Sequence, residues 1–352
     1  MNYHVALDVS LRSVSICIVD EAGAIQFEGK LDSEVDQIVD CLKKFSSEIK
    51  SIGFEAGALT QYLTYGLQAA GYEVICLEAR QVSAALSGMR NKTDKNDARG
   101  IAQILRTGWY SRVHVKSMES HLIRAMLTAR KTALKKCVDI ENEVRGLVRL
   151  LGIKLPPSVN HSAFDGLVRL EIEEHSVLVD ALIPLMDARL VLYKTYLKLD
   201  SQVTAMARKD VICQRLMTVP GVGAITALTF KAAVDDPTRF KCSRTVAAHF
   251  GLTPRRFQSG EIDNPGHISK AGDPDVRSAL YVAAHALVTR SEEWSSLKVW
   301  GMRLFKTKGH RRAVIAVARK LAVIMHKMWM DGSEFRYGSK EVVTQINQPV
   351  LQ

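Results

Sequence analysis

Four carboxylates in the first hundred residues are spaced so that they could form one metal site. Asp8 lies at the end of the apolar segment YHVALDV, and Glu55 directly follows the strand-like segment SIGF. Asp94 and Asp97 stand three residues apart in RNKTDKNDARGIA, so on a helix they share one face. Carboxylate oxygens are the ligands that Mg²⁺ prefers, with Mn²⁺ as a substitute, and a pair of such ions can flank a phosphate during in-line displacement. Without metal, so many carboxylates in one place would repel each other, so the set predicts a metal centre for phosphoryl chemistry.

Each acid taken alone has a simpler interpretation. A single Asp at a strand end is more often a cap or a surface residue than a ligand. Asp94 is an equally good N-cap, and Asp97 could pair with Arg99 or Lys92. The prediction of a metal site therefore depends on all four acids converging.

Two glycine-rich segments in the second half of the chain could contact phosphate. LMTVPGVGAITALTF contains Gly221 and Gly223, and a Gly-x-Gly turn between two helices exposes backbone N–H groups at a helix N-terminus. This is the signature of a helix-hairpin-helix, although a plain tight turn between packed helices would look the same. GLTPRRFQSGEIDNPGHISKAGDPD is a basic loop with hydroxyls, in which a lone serine would ordinarily be structural. Its polar residues of interest are Arg255, Arg256, Ser259, His267, Ser269 and Lys270.

Charge favours a polyanionic partner. The 352 residues carry 48 Lys and Arg against 37 Asp and Glu, a formal net charge of +11. The segment GMRLFKTKGHRRAVIAVARKLA holds no acid and is predicted to be a basic helix. Such a helix is usually a solvated face, but in the company of the other motifs it is predicted to follow a nucleic-acid backbone. Nearby Trp294 and Trp300 are predicted to be core residues. The cations of that segment are Arg303, Lys306, Lys308, Arg311, Arg312, Arg319 and Lys320.

Composition narrows the class of protein further. The length favours at least two domains, and 47% hydrophobic with 24% charged residues is ordinary for a globular chain. None of the six cysteines forms a C-x-x-C pair, which argues against a zinc knuckle or a disulfide framework. No secretion signal and no apolar run of membrane-spanning length is evident, so we expect a cytoplasmic protein.

Apolar periodicity predicts the elements that must position the acids. Residues 3–30 alternate as three antiparallel strands, and Ser33 is placed to cap an amphipathic helix. SIGFEA and YEVICLEA are predicted as further strands, with helices near 81–86 and 94–105. Residues 1–115 are therefore expected to form an α/β domain with a mixed sheet.

The rest of the chain is predicted to be mostly helical. Two long amphipathic helices form a spacer, the first ended by Pro156 and the second spanning Pro184 to Lys209 with its proline in the first turn. Periodicity leaves open whether they form a coiled coil or an ordinary helical bundle. The predicted parts are a helical spacer at 116–210, a C-terminal domain at 211–335 with an irregular polar stretch at 253–273, and a disordered tail at 336–352.

The acidic motifs resemble those of the DEDD transposases of the IS110 insertion-sequence family. ALDVS, GFEAG and RNKTDKNDARGIA match the family's RuvC-like, ribonuclease H-like domain, with the expected acid at each of the four ligand positions. GLTPRR-x-x-S-G followed by S-K-x-G matches its C-terminal transposase domain, and the resemblance extends from about residue 3 to about residue 333. It implies a DNA recombinase whose serine nucleophile, Ser259, forms a covalent phosphoserine intermediate, with Ser269 as the alternative nucleophile.

The resemblance also implies partners. Arg255, Arg256 and Lys270 would hold the scissile phosphate, and the Arg90-Asn91-Lys92 run would face nucleic-acid phosphates. Donor and target DNA, a structured bridge RNA that guides the enzyme, and assembly into a homodimer or homotetramer through the helical spacer are expected on this ground alone. The protein would associate with the bacterial nucleoid when active.

Three other functions remain compatible with parts of the pattern. A Holliday-junction resolvase-type endonuclease would use the four acids and a metal-activated water, without a protein nucleophile. A sugar or acetate kinase also opens with a strand that ends in Asp, but the Gly and Thr expected after Asp8 are missing. A non-catalytic nucleic-acid-binding protein would retain the acids as vestiges.

Overall fold

The computed structural model describes residues 2–89, 91–259 and 262–338, without the side chains of 46–47, 256–259 and 262–265. Arg90 and most of the predicted tail, residues 339–352, lie outside the described residues. The chain divides into two compact units, Met1–Lys116 and Ser117–Gln352, called the N-terminal and C-terminal units below. A boundary inside the C-terminal unit near residue 210 stays a prediction.

The N-terminal unit is built on a five-stranded mixed sheet with strand order β3-β2-β1-β4-β5. Three antiparallel strands come first, because short polar turns join segments rich in β-branched residues. The next two strands run parallel to the first, since each is reached through a helix. The predicted α/β unit with a central sheet is thus confirmed. The strands are β1 (Tyr3–Val9), β2 (Ser13–Val19), β3 (Ile25–Asp32), β4 (Ile49–Glu55) and β5 (Val74–Leu77).

Helices cover both faces of this sheet. One apolar core joins alternate residues of β1, such as Val5 and Leu7, to the first two helices. The other core joins Ala6 and residues of β2 and β5 to the last two helices. Alternation along a strand therefore assigns each strand residue to one helix layer. The helices are α1 (Val35–Leu42), α2 (Thr60–Ala69), α3 (Ala79–Leu86) and α4 (Asp94–Thr107), with a 3₁₀ turn at Lys43–Glu48.

The C-terminal unit is mostly helical, as predicted, and carries one antiparallel hairpin. Helices α5 and α7 pack along each other, and with α6 they enclose an apolar cluster that includes Phe164 and Met186. The remaining helices share a second core. The elements are α5 (Met118–Val148), α6 (His161–Ile172), α7 (Ser176–Lys209), α8 (Val211–Leu216), α9 (Ala224–Val234), α10 (Ser243–His249), β6 (Pro254–Ser259), β7 (Ile262–Ile268), α11 (Pro274–Thr289), α12 (Ser296–Lys308) and α13 (His310–Asp331), with 3₁₀ turns at Arg149–Leu151 and Pro237–Arg239.

Several local predictions were wrong. Helix α7 begins at Ser176, so Pro184 lies inside it and not in its first turn. The polar stretch predicted to be irregular contains β6 and β7, and the single basic helix is two helices separated at Gly309, whose φ of +79° suits glycine. Ser33 is not a cap, because its hydroxyl donates to the carbonyl of Ser10.

Two further features concern the surface. Trp294 and Trp300 are 41% and 38% exposed, so neither is the core residue that the sequence suggested. Within the predicted tail, the carbonyl of Tyr337 accepts a hydrogen bond from the backbone N–H of Ser296 at 2.9 Å. Among the described residues, no helix is both long and apolar enough to cross a membrane.

Candidate active site

Asp8 and Glu55 lie side by side where β1 and β4 end. The two strands are parallel, and Leu7 pairs with Phe54 in their register. Leu7 and Phe54 belong to the core under α1 and α2, so Asp8 and Glu55, one residue further on, take the opposite face of the sheet. That face is the one covered by α3 and α4.

Helix α4 brings the other two acids to the same face. Thr93 caps the helix, since its hydroxyl oxygen accepts from the backbone N–H of Asn96 at 3.2 Å. Asp94 and Asp97 therefore occupy the first turn, where the helix dipole favours negative charge. The amide of Asn96 also donates to the carbonyl of Asn91 at 3.0 Å, which ties the preceding segment to this turn.

Close approach of α4 to the sheet depends on Gly53. A Cβ atom at this position of β4 would overlap the side chain of Leu105, a buried residue on α4. Because Gly53 lies two residues before Glu55, the contact fixes the spacing between the strand that carries one acid and the helix that carries two. A glycine in a strand interior is otherwise unfavourable, which indicates a close approach.

The acids surround Asp8 with negative charge. The pKa of Asp8 is raised from 3.8 to about 6, first by burial and then by the negative charges of Asp97, Asp94 and Glu55, against the opposing positive charge of Lys92. The pKa of Glu55 is also raised, first by burial and then by Asp97, again opposed by Lys92. The four predicted ligands thus lie near enough to interact electrostatically in this structure, with Lys92 facing them.

A hard divalent cation suits this donor set. All four side chains offer oxygen, and the raised pKa of Asp8 shows that the site disfavours further negative charge unless a cation compensates it. The oxygens are spaced more widely than a closed three-ligand set: among the described residues, three donor atoms within 4.8 Å of one another occur in the cluster Cys137, Glu141 and His161.

That second cluster lies in the C-terminal unit, and its carboxylate is already paired with a positively charged side chain. The guanidinium of Arg189, which is fully buried, donates through Nε to Oε1 of Glu141 at 2.9 Å, and Nδ1 of His161 lies 2.8 Å from the same oxygen. Burial pushes the pKa of Glu141 upward, but the hydrogen bonds with His161 and Arg189 outweigh it and hold the pKa below its ordinary value. The geometry is that of a buried ion-pair network, and we assign no metal to it.

The structure shows electrostatic and packing residues that the sequence analysis missed. Arg99 does not pair with Asp97; it forms an ion pair with Glu28 on β3, which also accepts from Lys95 at 3.0 Å. The hydrogen bond with Arg99 outweighs burial and lowers the pKa of Glu28 to about 2. Lys95 and Arg99 are spaced i, i+4 on α4, but Glu28 is about 70 residues earlier in the chain, so no local sequence pattern predicts the pairing.

The two glycines of the turn before α9, Gly221 and Gly223, have different surroundings. Gly221 has a φ of +84°, and a Cβ there would overlap the carbonyl oxygen of Ala283 on α11. Gly221 therefore serves close packing between helices. Gly223, directly before α9, is exposed, and a Cβ there would have no described atom within 4 Å. Of the two predicted phosphate-contacting glycines, only Gly223 faces open space.

The hairpin carries the predicted nucleophile and its basic neighbours. Ser259 is the last residue of β6 and pairs with Ile262 in the backbone register; its side chain and that of Arg256 are outside the described atoms. Arg255 donates through Nη2 to the carbonyl of Ser269 at 3.2 Å. The Ser269 hydroxyl accepts from the backbone N–H of Ala271 at 3.4 Å, so it is engaged in the turn.

The basic surface is displayed by two consecutive helices. Arg311 and Arg312 lie exposed in the first turn of α13, and Lys306 and Lys308 lie exposed in the last turn of α12. Arg319 and Lys320, two turns further along α13, are also exposed. An exposed surface with this density of cations can follow a phosphate backbone.

Comparison with known proteins identifies the class. A transposase model for DEDD proteins of the IS110 type matches residues 5–152, and a model of the transposase IS116/IS110/IS902 family matches residues 213–299. The chain is 31% identical over 258 residues to the transposase for insertion sequence element IS1111A of Coxiella burnetii, covering 71% of this chain and 70% of that protein. It is 27% identical over 292 residues to a probable family 20 transposase of Pseudomonas aeruginosa, covering 82% and 86%.

A shorter match extends the comparison beyond insertion elements. Over 122 residues the chain is 30% identical to a pilin gene-inverting protein of Moraxella bovis, covering 34% of this chain and 37% of that protein. Together with the α/β unit, its four acids and the helical second unit, these matches define a DNA transposase or recombinase. The chain belongs to the IS110 family of transposases.

Proposed function

We propose that this transposase cuts and rejoins DNA with Mg²⁺, or Mn²⁺, bound by Asp8, Glu55, Asp94 and Asp97, and with Ser259 as the nucleophile. The observation that carries the metal part is the raised pKa of Asp8, which burial and the three other acids produce. The sheet order, in which a three-strand meander precedes two parallel strands, supports a RuvC-like fold for the N-terminal unit. The metal, when bound, would supply positive charge to the phosphate oxygens that gain charge in the reaction.

The serine step conserves the energy of the phosphodiester bond. The Ser259 hydroxyl loses its proton, its oxygen forms a bond to phosphorus, and one DNA strand leaves as a free hydroxyl after taking up a proton. Attack of another strand's hydroxyl on the phosphoserine reverses these changes and releases the enzyme. Two observations support Ser259 over Ser269: it matches the family motif, and the Ser269 hydroxyl already accepts a backbone hydrogen bond.

Nucleic-acid contacts are proposed at the cations and open backbone donors. Arg255, Arg256 and Lys270 would hold the scissile phosphate. Arg90, Asn91 and Lys92 would face nucleic-acid phosphates. Gly221 and Gly223 would contact the nucleic-acid backbone as part of a helix-hairpin-helix. The surface around Arg311 and Arg312 would follow DNA or a structured bridge RNA.

Assembly and location are further parts of the proposal. A homodimer or homotetramer would form through the helical spacer, which contains α5 and α7, as the resemblance implies. A protein of this kind would work in the bacterial cytoplasm, at the nucleoid. Measuring the molecular mass of the protein in solution, with and without nucleic acid, tests whether it forms a dimer or a tetramer.

A covalent-adduct assay tests the function. Incubation of the full chain with its element-end DNA, bridge RNA and Mg²⁺ should give a protein–DNA adduct that survives denaturation and maps to Ser259 by mass spectrometry. Ser259→Ala should abolish the adduct and strand exchange, whereas Ser269→Ala should keep both. Cutting by Ser259→Ala without an adduct would favour a resolvase-type nuclease, which needs only the acids and a metal-activated water.

A further inference from the structure

The hairpin base, residues 250–253 before β6 and residues 269–272 after β7, is a close contact between two backbone segments. Gly251, with a φ of +68°, and Gly272, with a φ of +67°, allow the end of α10 and the segment after it to contact the segment before α11. A Cβ at Gly251 would overlap the backbone of Ala271, and a Cβ at Gly272 would overlap the carbonyl oxygen of His249. Two backbone hydrogen bonds join the same segments, from Ser269 N–H to the carbonyl of Thr253 at 2.8 Å and from Lys270 N–H to that of Gly251 at 3.1 Å. Side chains larger than glycine cannot enter this contact.

One side chain holds both segments. Arg277, in the first turn of α11, donates through Nη1 to the carbonyls of Phe250 at 3.3 Å, Ala271 at 2.6 Å and Gly272 at 3.1 Å. Phe250 lies at the start of the hairpin and the other two lie at its end. A guanidinium suits this arrangement because its donors are fixed in one plane and stay charged at any working pH.

The helix that carries Arg277 is itself anchored. Asp273 caps α11 by accepting from the backbone N–H of Asp275 at 2.8 Å and of Val276 at 3.4 Å. Its other oxygen forms an ion pair with Arg124 on α5. Burial pushes the pKa of Asp273 upward, but the ion pair and the two backbone hydrogen bonds together hold that pKa below its ordinary value. The position of Arg277 is thus set by contacts outside the hairpin.

Ser259 is at the far end of the strand that starts at this base. Five residue steps from Pro254 along an extended strand cover about 17 Å, so a rotation of roughly 10° at the base would displace Ser259 by about 3 Å. A displacement of only 1 Å in a reacting group can reduce a rate about 100-fold. Orientation of the hairpin base is therefore sufficient to control the chemistry.

We propose that Arg277 is a positioning residue for strand cleavage: by fixing the hairpin base it aims Ser259 at the scissile phosphate. The inference rests on the proposed role of Ser259 as nucleophile. Arg277 does not touch the reacting atoms; it acts through the carbonyls of the two segments that it joins. Its loss should slow adduct formation and leave the affinity for DNA almost unchanged.

The test compares Arg277→Ala with Arg290→Ala, which removes the same charge from the exposed C-terminal end of the same helix. Adduct formation at saturating DNA should slow about 100-fold in Arg277→Ala, with DNA binding within about threefold of Arg290→Ala. Added guanidinium ion should restore part of the rate in Arg277→Ala and none in Ser259→Ala. Backbone amides of Ser269 and Lys270 should exchange hydrogen faster in Arg277→Ala.

The outcomes separate the two proposals. If the wild-type adduct maps to Ser259 and Arg277→Ala forms it as fast as Arg290→Ala, the positioning role is refuted while the serine mechanism stands. If the wild type forms no adduct at Ser259, the serine mechanism fails and the positioning role fails with it. Should Arg277→Ala not fold, Arg277→Gln, which keeps one amide donor, replaces it; equal loss of DNA binding and of rate in that variant would mark a merely structural residue.

Discussion

Replacing Asp8 by Asn should stabilise the metal-free protein. Burial and three neighbouring carboxylates raise the pKa of Asp8 from 3.8 to about 6. The folded chain therefore holds the Asp8 proton more tightly than the unfolded chain, so native stability falls as pH rises from about 4 to 6 and remains reduced above it. The full shift would correspond to about 3 kcal/mol at neutral pH, but Asp8 is only half-buried and solvent screens part of it, so an uncharged amide should recover about 1–2 kcal/mol.

With metal bound, the wild type should be more stable than Asp8→Asn, the reverse of the order without metal. A divalent ion that binds the folded chain at 100 times its Kd adds about 2.7 kcal/mol to the wild type. Asp8→Asn lacks one ligand and should gain much less. Hydrogen exchange of β1 and α4, corrected for the intrinsic rate at each pH, reports on the N-terminal unit alone and should be measured in chelator and in Mg²⁺ at pH 5 and 7.5.

Asp36→Asn, on the exposed side of α1, is the control for loss of one negative charge. It should change protection by no more than about 0.5 kcal/mol in either condition. The reasoning is refuted if Asp8→Asn in chelator at pH 7.5 is no better protected than the wild type. It is equally refuted if Mg²⁺ protects both proteins to the same extent.

Three further perturbations test how the surroundings are built. Gly53→Ala should push α4 away from β4, costing about 1–3 kcal/mol and weakening Mg²⁺ binding in a calorimetric titration, because the new Cβ overlaps the helix. Glu28→Gln should also weaken Mg²⁺ binding, because α4 loses two ion pairs. The wild-type pairs should persist until the pH falls to about 2–3, since the pKa of Glu28 is about 2. Arg189→Ala should cost about 3–5 kcal/mol in thermal unfolding, because Glu141 loses its buried partner, and Zn²⁺ should not stabilise the wild type.

Local patterns predicted the elements that carry the acids and the order in which they occur. β1 and β4 are short apolar segments bounded by polar residues, and the helix predicted at 94–105 is α4, so their types and approximate bounds follow from the sequence. The N-cap is Thr93 and not Asp94, the alternative that the sequence offered. Asp8 and Glu55 lie close to each other because β1 and β4 are parallel and end at one edge of the sheet. Local patterns do not determine which face of the sheet each acid takes. The register of Leu7 with Phe54 shows that both acids lie on the face covered by α4.

Long-range contacts explain most of what the sequence analysis missed. The hairpin base depends on Gly251, Gly272 and Arg277, whose contacts are between segments that each look like ordinary loop or helix. The start of α7 was misplaced because Pro184 was assigned to a first turn, whereas packing of the helix against α5 and α6 offsets the lost hydrogen bond inside it. Glu141 and Arg189 are 48 residues apart, so no helical periodicity pairs them.

The side chains of the acid site repel one another, whereas the segments of the hairpin base are held together by hydrogen bonds. Asp8 and its neighbours are held close by sheet register and by Gly53, although their charges repel, so the metal-free site is destabilised. The proposed cation would bind partly because it relieves that repulsion. At the hairpin base, Arg277 donates hydrogen bonds to carbonyls of both segments, so position there is held by attraction and needs no ligand. Loss of metal should therefore loosen the end of β1 and α4 while the hairpin base keeps its hydrogen-exchange protection, and loss of Arg277 should do the reverse.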